Sequence, residues 1–423
     1  MTDLSEKQQE AVHKAYGWYY DFKQDPKAIA QVFQFTGYAG TGKTTAIKFL
    51  TERLGDLHIE YAAFTGKAAR VISRVNEVDA RTIHSLIYQY VQPDKVECAA
   101  LYDQLHGDDP LPPGNERERI VKELEEASSP HFALNDQSDL HHTDLLILDE
   151  ASMVNMEMLD DLKSFGVPIL AIGDPGQLPP VKGAGALFIG EPDVKLEEIF
   201  RQAAENPIIQ AVTNARKGIP WPYSLDDQAD RRFVHKRFSS YTDETFKHTC
   251  LGADQVLVGM NKTRQDLNVR MRGWKGFDIT NPYPQEGETL CCWKNDKERG
   301  LYNGDQCIVE KVGDVYEDFI ELWVRLDWKS DGEPIRVRAL RALFDQYYDN
   351  KSLERVQWFI RKPLNEFDFG YALTVHKAQG SQWDKVLFMD DGMLKGWRNK
   401  VIQRRQLVYT AGTRAAEKLI VYS

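Results

Sequence analysis

Long apolar runs are missing from this 423-residue chain. Those present, such as Leu145–Leu148, have the length of a core strand; a bilayer-spanning helix needs about 20 such residues in a row. Cysteine is scarce and carries no pairing pattern. The five (Cys98, Cys250, Cys291, Cys292, Cys307) are an odd number with no C-x-x-C spacing, which argues against a zinc knuckle or a disulfide framework and for reduced thiols in a cytosolic protein. Adjacent Cys291 and Cys292 should face opposite sides of a strand. Positive charge is also short. With 53 Lys and Arg against 64 Asp and Glu, the net charge is −11, so wrapping of a polyanion by bulk charge is excluded and any nucleic-acid site must be a local groove. Repeats and low-complexity tracts are absent, and the opening MTDLSEKQQE lacks the apolar core of a signal peptide.

What remains is a globular composition, 42% hydrophobic and 28% charged, on a chain too long for one ordinary core, so two to four domains are expected. Ser5–Phe22 places Ala11, Val12, Ala15, Trp18 and Tyr19 at helical spacing. Strand-length runs at Val32–Phe35, Tyr61–Phe64, Leu145–Leu148 and Ile169–Ile172 then alternate with helical stretches, the pattern of a parallel sheet covered on both faces. The alternation breaks between about 86 and 140, where Gly, Pro, Asp and Glu crowd around Asp108–Glu118 ahead of a charged helical run, Glu116–Ala127. A second α/β pattern starts near Val194 and includes a strand at Gln255–Gly259, a helix at Lys262–Arg272, a strand at Val386–Met389, a helix at Val401–Ala416 and a strand at Leu419–Tyr422. Between 283 and 365 short alternating strands, with Asn303-Gly304 at a turn, predict a small β-barrel insertion. The fold class read from this is α/β, two parallel-sheet units flanked by helices, each with one insertion. The division is 1–86 with 137–183 (nucleotide-binding), 87–136 (insertion), 184–282 with 366–423, and 283–365 (barrel).

The chemistry is concentrated in two places in the first unit. Gly37-Tyr38-Ala39-Gly40-Thr41-Gly42-Lys43-Thr44, followed by Thr45, satisfies G-x-x-x-x-G-K-[ST] between a strand and a helix. Its glycines let backbone N–H groups converge on phosphate oxygens at a helix N-terminus; Lys43 is placed for the β- and γ-phosphates and Thr44 for Mg²⁺. About a hundred residues later, Thr143–Glu150 is an apolar strand ending in two carboxylates. Asp149 suits a Mg²⁺ partner and Glu150 a base for the attacking water. Gln8 is open to two readings: Ser5-x-x-Gln8 is a capping box, and a Gln amide also matches the donor–acceptor pair of adenine.

Further blocks follow in order: Phe64–Ala69 (FTGKAA), Thr82–Leu86 (TIHSL), Leu148–Met153 (LDEASM), Gly173–Pro180 (GDPGQLPP), Ile199–Gln202 (IFRQ), Leu373–Ser381 (LTVHKAQGS) and Val408–Ala415 (VYTAGTRA). Together they resemble superfamily 1 helicases of the 5′-to-3′ branch, the RecD-like and phage Dda-like group, over nearly the whole chain. The resemblance implies two RecA-like domains, with a wedge hairpin inserted in the first and an SH3-like barrel in the second. It implies ATP with Mg²⁺, and single-stranded and forked duplex DNA as partners. It makes Gln8 the adenine reader, Gln177 the γ-phosphate sensor coupled to the nucleic-acid groove, and Arg201 and Arg414 the two arginine fingers from the second domain. The DNA-tracking surface it implies is Thr65, Lys67, Thr82, His84, Asn303, Thr374, His376 and Gln379, groups suited to phosphate and sugar.

Ile87–Gln92 is placed to pair with His131–Leu134, as a wedge or as a plain cap on the first sheet. Trp293 suits core packing or base stacking. Gln382 stands where the group often has an acid, which leaves no ribose contact to assign there. A monomer in the cytoplasm of a prokaryotic or phage-infected cell is expected, with single-strand-binding, replication or recombination proteins as neighbours. The competing functions are a translocase that displaces proteins or acts on RNA, and a loader ATPase; the latter has no need of the block at His376–Ser381.

Overall fold

The computed structural model describes residues 4–91, 100–101, 104, 116, 119–120, 123, 131–180, 185–188, 190–199, 205–221, 232–237, 242–329, 332–344, 356, 358–391 and 401–423. Its first unit contains β1 (Val32–Gly37), β2 (Ile59–Ala63), β3 (Ala80–Thr82), the pair β4 (Tyr88–Val91) and β5 (His131–Leu134), β6 (Leu145–Asp149), β7 (Ile169–Gly173) and β8 (Val194–Leu196). Six of these form a parallel sheet in the order β3-β2-β6-β7-β1-β8. Alternate residues of the central strands feed two cores. Leu145 and Ile147 pack with Phe33, Phe35 and helices α1 (Glu6–Gln24) and α2 (Lys43–Leu54), while Leu146 and Leu148 face α4 (Ile83–Ile87) and α5 (Met156–Ser164). Covering both faces is why the strands read as unbroken apolar runs. Between α2 and α4 lies α3 (Gly66–Asn76).

The second unit has a five-stranded parallel sheet, β16-β10-β17-β18-β9. Here β9 is Phe233–Lys236, β10 Gln255–Val258, β16 Ala372–Thr374, β17 Trp383–Met389 and β18 Ala415–Tyr422. Helices α6 (Pro207–Lys217), α7 (Asp243–Leu251), α8 (Asn261–Trp274) and the later Val401–Gly412 accompany it. Inserted between β10 and β16 is an antiparallel sheet, β14-β13-β12-β11-β15, made of β11 (Thr289–Cys292), β12 (Gln306–Val315), β13 (Phe319–Leu326), β14 (Ile335–Leu340) and β15 (Phe367–Phe369). The chain just ahead of β15 bonds back to β14: Asn365 N–H donates to Arg338 O and Leu340 N–H to Asn365 O, both at 2.8 Å. The sheet therefore curls until its edges meet. It shares a core with the second parallel sheet, where Leu290, Cys292 and Val324 pack with Val256, Val258 and Leu387. Buried pairs Arg264–Asp368 (2.6 Å) and Arg272–Glu288 (2.7 Å) join it to α8.

Three boundaries differ from the sequence reading. Val194–Leu196 is the sixth strand of the first sheet, paired with Phe35–Gly37, and does not open the second unit; a three-residue strand, Val-Lys-Leu, carries no sign of which sheet edge it joins. Phe367–Phe369 belongs to the barrel sheet, past the expected limit at 365. The last helix stops at Gly412, where a Cβ would meet Val212 Cγ1 at 2.4 Å, and Ala415 already begins β18. Cys291 and Cys292 do face opposite sides, one in each core. Cys98 and most of the expected 87–136 insertion lie outside the described residues, although β4 and β5 pair antiparallel with Tyr88 opposite Leu134. Among the described residues no helix is long and apolar enough to cross a membrane.

Candidate nucleotide site and nucleic-acid groove

Adjacent parallel strands bring their C-terminal ends to one edge. β1 there runs into the glycine-rich loop, β6 ends at Asp149 and β7 at Gly173, the strand edge where open α/β sheets hold ligands. The loop needs its glycines individually. Gly40 (φ 79°) and Gly42 (φ 72°) take left-handed backbone, and a Cβ on Gly37 would meet Thr41 Oγ1 at 2.6 Å. Lys43 Nζ donates to Gly37 O (2.6 Å) and Tyr38 O (3.2 Å), at the loop that would cradle phosphate. Thr44 and Thr45 are exposed in the first turn of α2; Thr41 is buried and its hydroxyl donates to Tyr38 O at 2.8 Å. Gln8 does two jobs: Oε1 accepts from Ser5 N–H within the capping box, and Nε2 donates to Gly42 O (3.1 Å) and Thr41 O (3.4 Å). The amide is thus built into the phosphate loop itself.

Two carboxylates feel the Lys43 charge, Asp149 and Asp174, and Glu150 adjoins both. Asp149 is pushed up to about 6 by burial and then by the neighbouring Glu150 charge, against the pull of Lys43. Asp174 is also raised by burial. Glu150 has φ 51°, a left-handed conformation that costs a non-glycine residue about 1–2 kcal/mol, and its N–H donates to Asp149 Oδ1 at 2.8 Å. Asp149 and the exposed Thr44 hydroxyl are oxygen donors of the kind a divalent cation takes.

The second unit closes on this site. Tyr409 OH donates to Asp174 Oδ2 (2.6 Å) and accepts from Ala39 N–H of the loop (2.9 Å). Leu178 N–H donates to Thr410 Oγ1 (3.0 Å), and Gln379 Nε2 donates to Leu178 O (3.1 Å). Gln177, on the same turn, is buried with its Oε1 unpaired. Arg414 was expected beside the phosphates. Instead its guanidinium is buried in the second unit, donating to Thr410 O, Ser381 O and Thr413 Oγ1 at 3.0–3.3 Å. A fork of five donors cannot be buried unpaired, and the end of its own helix supplies the nearest acceptors. Arg201 lies outside the described residues.

A cavity of about 820 Å³ runs between the units beyond this turn. Thr65, Lys67, Asn303, Thr374, His376 and Gln379 all line it. Thr65 and Thr374 also cap their local turns, accepting from Ala68 and Lys377 N–H. Thr82 and His84 lie outside that lining. Thr82 is buried and caps α4, while the His84 ring sits edge-on to Phe64, which does line the cavity, one layer nearer. Burial holds Lys67 and Lys377 below the usual lysine range and His376 below the usual histidine range. Each lysine lies over an indole, Lys67 on Trp383 (4.8 Å) and Lys377 on Trp293 (4.9 Å). Lys377 also donates to Asn303 Oδ1 at 3.0 Å.

Tyr409 and Lys377 sit inside sequence blocks quoted above without having been singled out; those blocks were the available signal. The joint between α3 and the barrel had none. There Arg70 makes two bonds to the buried Asp305 (2.8 and 2.9 Å), and Gly66 is crowded by Tyr302.

Comparison with known proteins agrees with this architecture. The AAA domain family matches residues 22–237, just over half of the chain, and the UvrD-like helicase C-terminal domain matches 369–422. The ATP-dependent RecD2 DNA helicase of Deinococcus radiodurans is 30% identical over 420 residues, covering 93% of this chain and 47% of the relative. The ATP-dependent DNA helicase dda of Enterobacteria phage T4 is 30% identical over 263 residues, covering 56% of this chain and 51% of the relative. The chain thus spans about half the length of these curated relatives. The fold is shared with Pif1 helicase from Candida albicans, at a TM-score of 0.52 and 18% identity over 100% of this chain and 95% of that one. The chain belongs to the AAA domain family, and its sequence is similar to the RecD-like and Dda-like superfamily 1 helicases.

Proposed function

We propose that the chain is an ATP-driven motor that moves 5′-to-3′ along single-stranded DNA and separates duplex ahead of it. One observation carries this reading: the turn Gly173–Pro180 touches both sites at once. Asp174 meets Tyr409 and, through it, the phosphate loop, while Leu178 is held by Gln379, which lines the groove. Displacement of this turn by a γ-phosphate at Gln177 would move a groove wall, which is the coupling a motor requires. The names of two relatives, ATP-dependent DNA helicases both, support the substrate class.

In this mechanism the loop N–H groups and Lys43 hold the phosphates, Gln8 braces the loop, and Glu150 accepts the proton of the attacking water. Mg²⁺, held by Asp149 and Thr44, would neutralise charge developing on the transferred phosphoryl group. Arg201 and Arg414 are assigned as fingers by resemblance; Arg414 reaches a phosphate only by releasing the Thr410 and Ser381 carbonyls. The groove offers hydroxyls, amides and cations, so contacts to phosphate and sugar dominate and sequence preference is weak.

The test is hydrolysis with single-stranded DNA, RNA, duplex DNA or no polymer, followed by unwinding of forks bearing a 5′ or a 3′ tail. Stimulation by single-stranded DNA and a 5′-tail requirement are expected. Stimulation by RNA alone, or equal activity on 3′ tails under single-turnover conditions, would overturn the substrate or the direction.

A further inference from the structure

Arg216 closes helix α6 of the second unit beside Lys217. A cation in a helix's last turn is ordinarily explained by the helix dipole, and the exposed Lys217 fits that account. Arg216 does not stay on the helix surface. Its guanidinium carbon lies 3.4 Å from the ring centroid of Tyr38, in the phosphate loop of the first unit. Its stem also lies against the Gly173–Pro180 turn: a Cβ on Gly176 would meet Arg216 Cδ at 3.1 Å and Tyr409 Cε1 at 2.9 Å. Arg216 Nε is buried with no hydrogen-bond partner, so this nitrogen is held by stacking and not by an acceptor.

Tyr38 is a consequential residue to hold. Its carbonyl accepts from Lys43 Nζ (3.2 Å), Thr41 Oγ1 (2.8 Å) and Thr41 N–H (3.3 Å), and its ring packs on the core of the second unit. The loop is therefore gripped from across the cleft at two successive residues, Tyr38 by Arg216 and Ala39 by Tyr409. We propose that Arg216 is a positioning residue for ATP turnover: by stacking on Tyr38 when the units close, it sets the loop carbonyl that orients Lys43. It is a contact of a different kind from an arginine finger, because it acts through the loop and not on the phosphate. The inference rests on the ATPase reading above and names a residue through which the second unit governs it.

The experiment measures single-stranded-DNA-stimulated kcat, ATP KM and thermal stability for wild type, Arg216→Ala, Arg216→Met, Arg216→Lys, Tyr38→Ala and the Arg216→Ala/Tyr38→Ala double variant. Loss of a partly desolvated cation–π stack predicts a fall in kcat of roughly 3- to 30-fold, with ATP KM changed less than twofold. Methionine, which keeps the apolar stem without the charge, should be as slow as alanine. Lysine, which keeps a cation over the ring, should recover part of the rate. The double variant should be no slower than the slower single variant. Arg216→Met at wild-type kcat, or single-variant losses that multiply in the double, would overturn the proposal even where stability is unchanged. A wild-type chain with no stimulated ATPase would instead overturn the reading beneath it.

Discussion

Tyr409 and Asp174, 235 residues apart, share a hydrogen bond of 2.6 Å across the cleft between the two α/β units. The same hydroxyl accepts from Ala39 N–H at 2.9 Å, so one oxygen joins the phosphate loop, the Gly173–Pro180 turn and the second unit. Tyr409 is 1% exposed, and its removal would leave a buried carboxylate oxygen and a loop N–H unpaired. Such a loss costs about 1–3 kcal/mol. Tyr409→Phe should accordingly lower stimulated kcat by roughly 5- to 150-fold, while each unit stays folded by circular dichroism. Full turnover in that variant would mean that the bridge belongs to no state on the catalytic cycle.

Lys43 bonds within the phosphate loop and does not line the groove. Lys43→Ala should therefore nearly abolish hydrolysis and leave nucleotide-free binding of single-stranded DNA within about twofold, read by fluorescence anisotropy. Comparable loss of both in a folded variant would contradict that separation.

Glu150→Gln keeps the same left-handed backbone and nearly the same volume, so stability should shift by less than about 0.5 kcal/mol. Without the carboxylate the water is not activated, and ATP should remain bound and unhydrolysed on filters in a single-turnover experiment. Near-normal turnover would assign the base elsewhere.

Acid should weaken the cation site before it unfolds the chain. Burial, and then the Glu150 charge, push Asp149 up to about 6, which keeps it ionised above that pH and protonated below it. A metal ligand must be deprotonated. The Mg²⁺ concentration for half-maximal ATPase should be flat above about pH 7 and rise roughly tenfold per pH unit below about 6. A requirement independent of pH between about 5 and 8 would remove Asp149 from the site.

The joint between Arg70 and Asp305 ties α3, which starts at the groove, to the barrel. Asp305 is buried while Arg70 is a quarter exposed, and Asp305 keeps the Tyr302 N–H when Arg70 is removed. Arg70→Ala should then cost about 1–3 kcal/mol, below the figure for a fully buried pair, and speed dissociation of single-stranded DNA. Asp305→Ala added to it should cost only the remaining Tyr302 N–H bond, about 1 kcal/mol. Additive effects would show that the two side chains act independently.

The parts legible in the sequence are those encoded within one strand–loop–helix step. The glycine-rich loop, the acidic strand end and the alternation of apolar runs depend on neighbours a few residues away, and the structure contains them where the spacing put them. Five groove residues, Thr65, Lys67, Thr374, His376 and Gln379, also came from motif blocks that each sit at a strand's end or shortly beyond it, so their convergence follows once the strands are parallel. Other features had no such local sign. Val194–Leu196 reads equally well as a strand of either sheet, and only its pairing with β1 assigns it. The residues of Thr413-Arg414-Ala415 could be quoted, but not the three acceptors toward which the guanidinium turns. The contacts Arg216–Tyr38, Tyr409–Asp174 and Arg70–Asp305 join side chains of different units, separated by 178, 235 and 235 residues. Local periodicity carries no information about such pairs. They exist because two separately specified units pack against each other, and the geometry of that packing is set by cores that no single stretch of the chain contains.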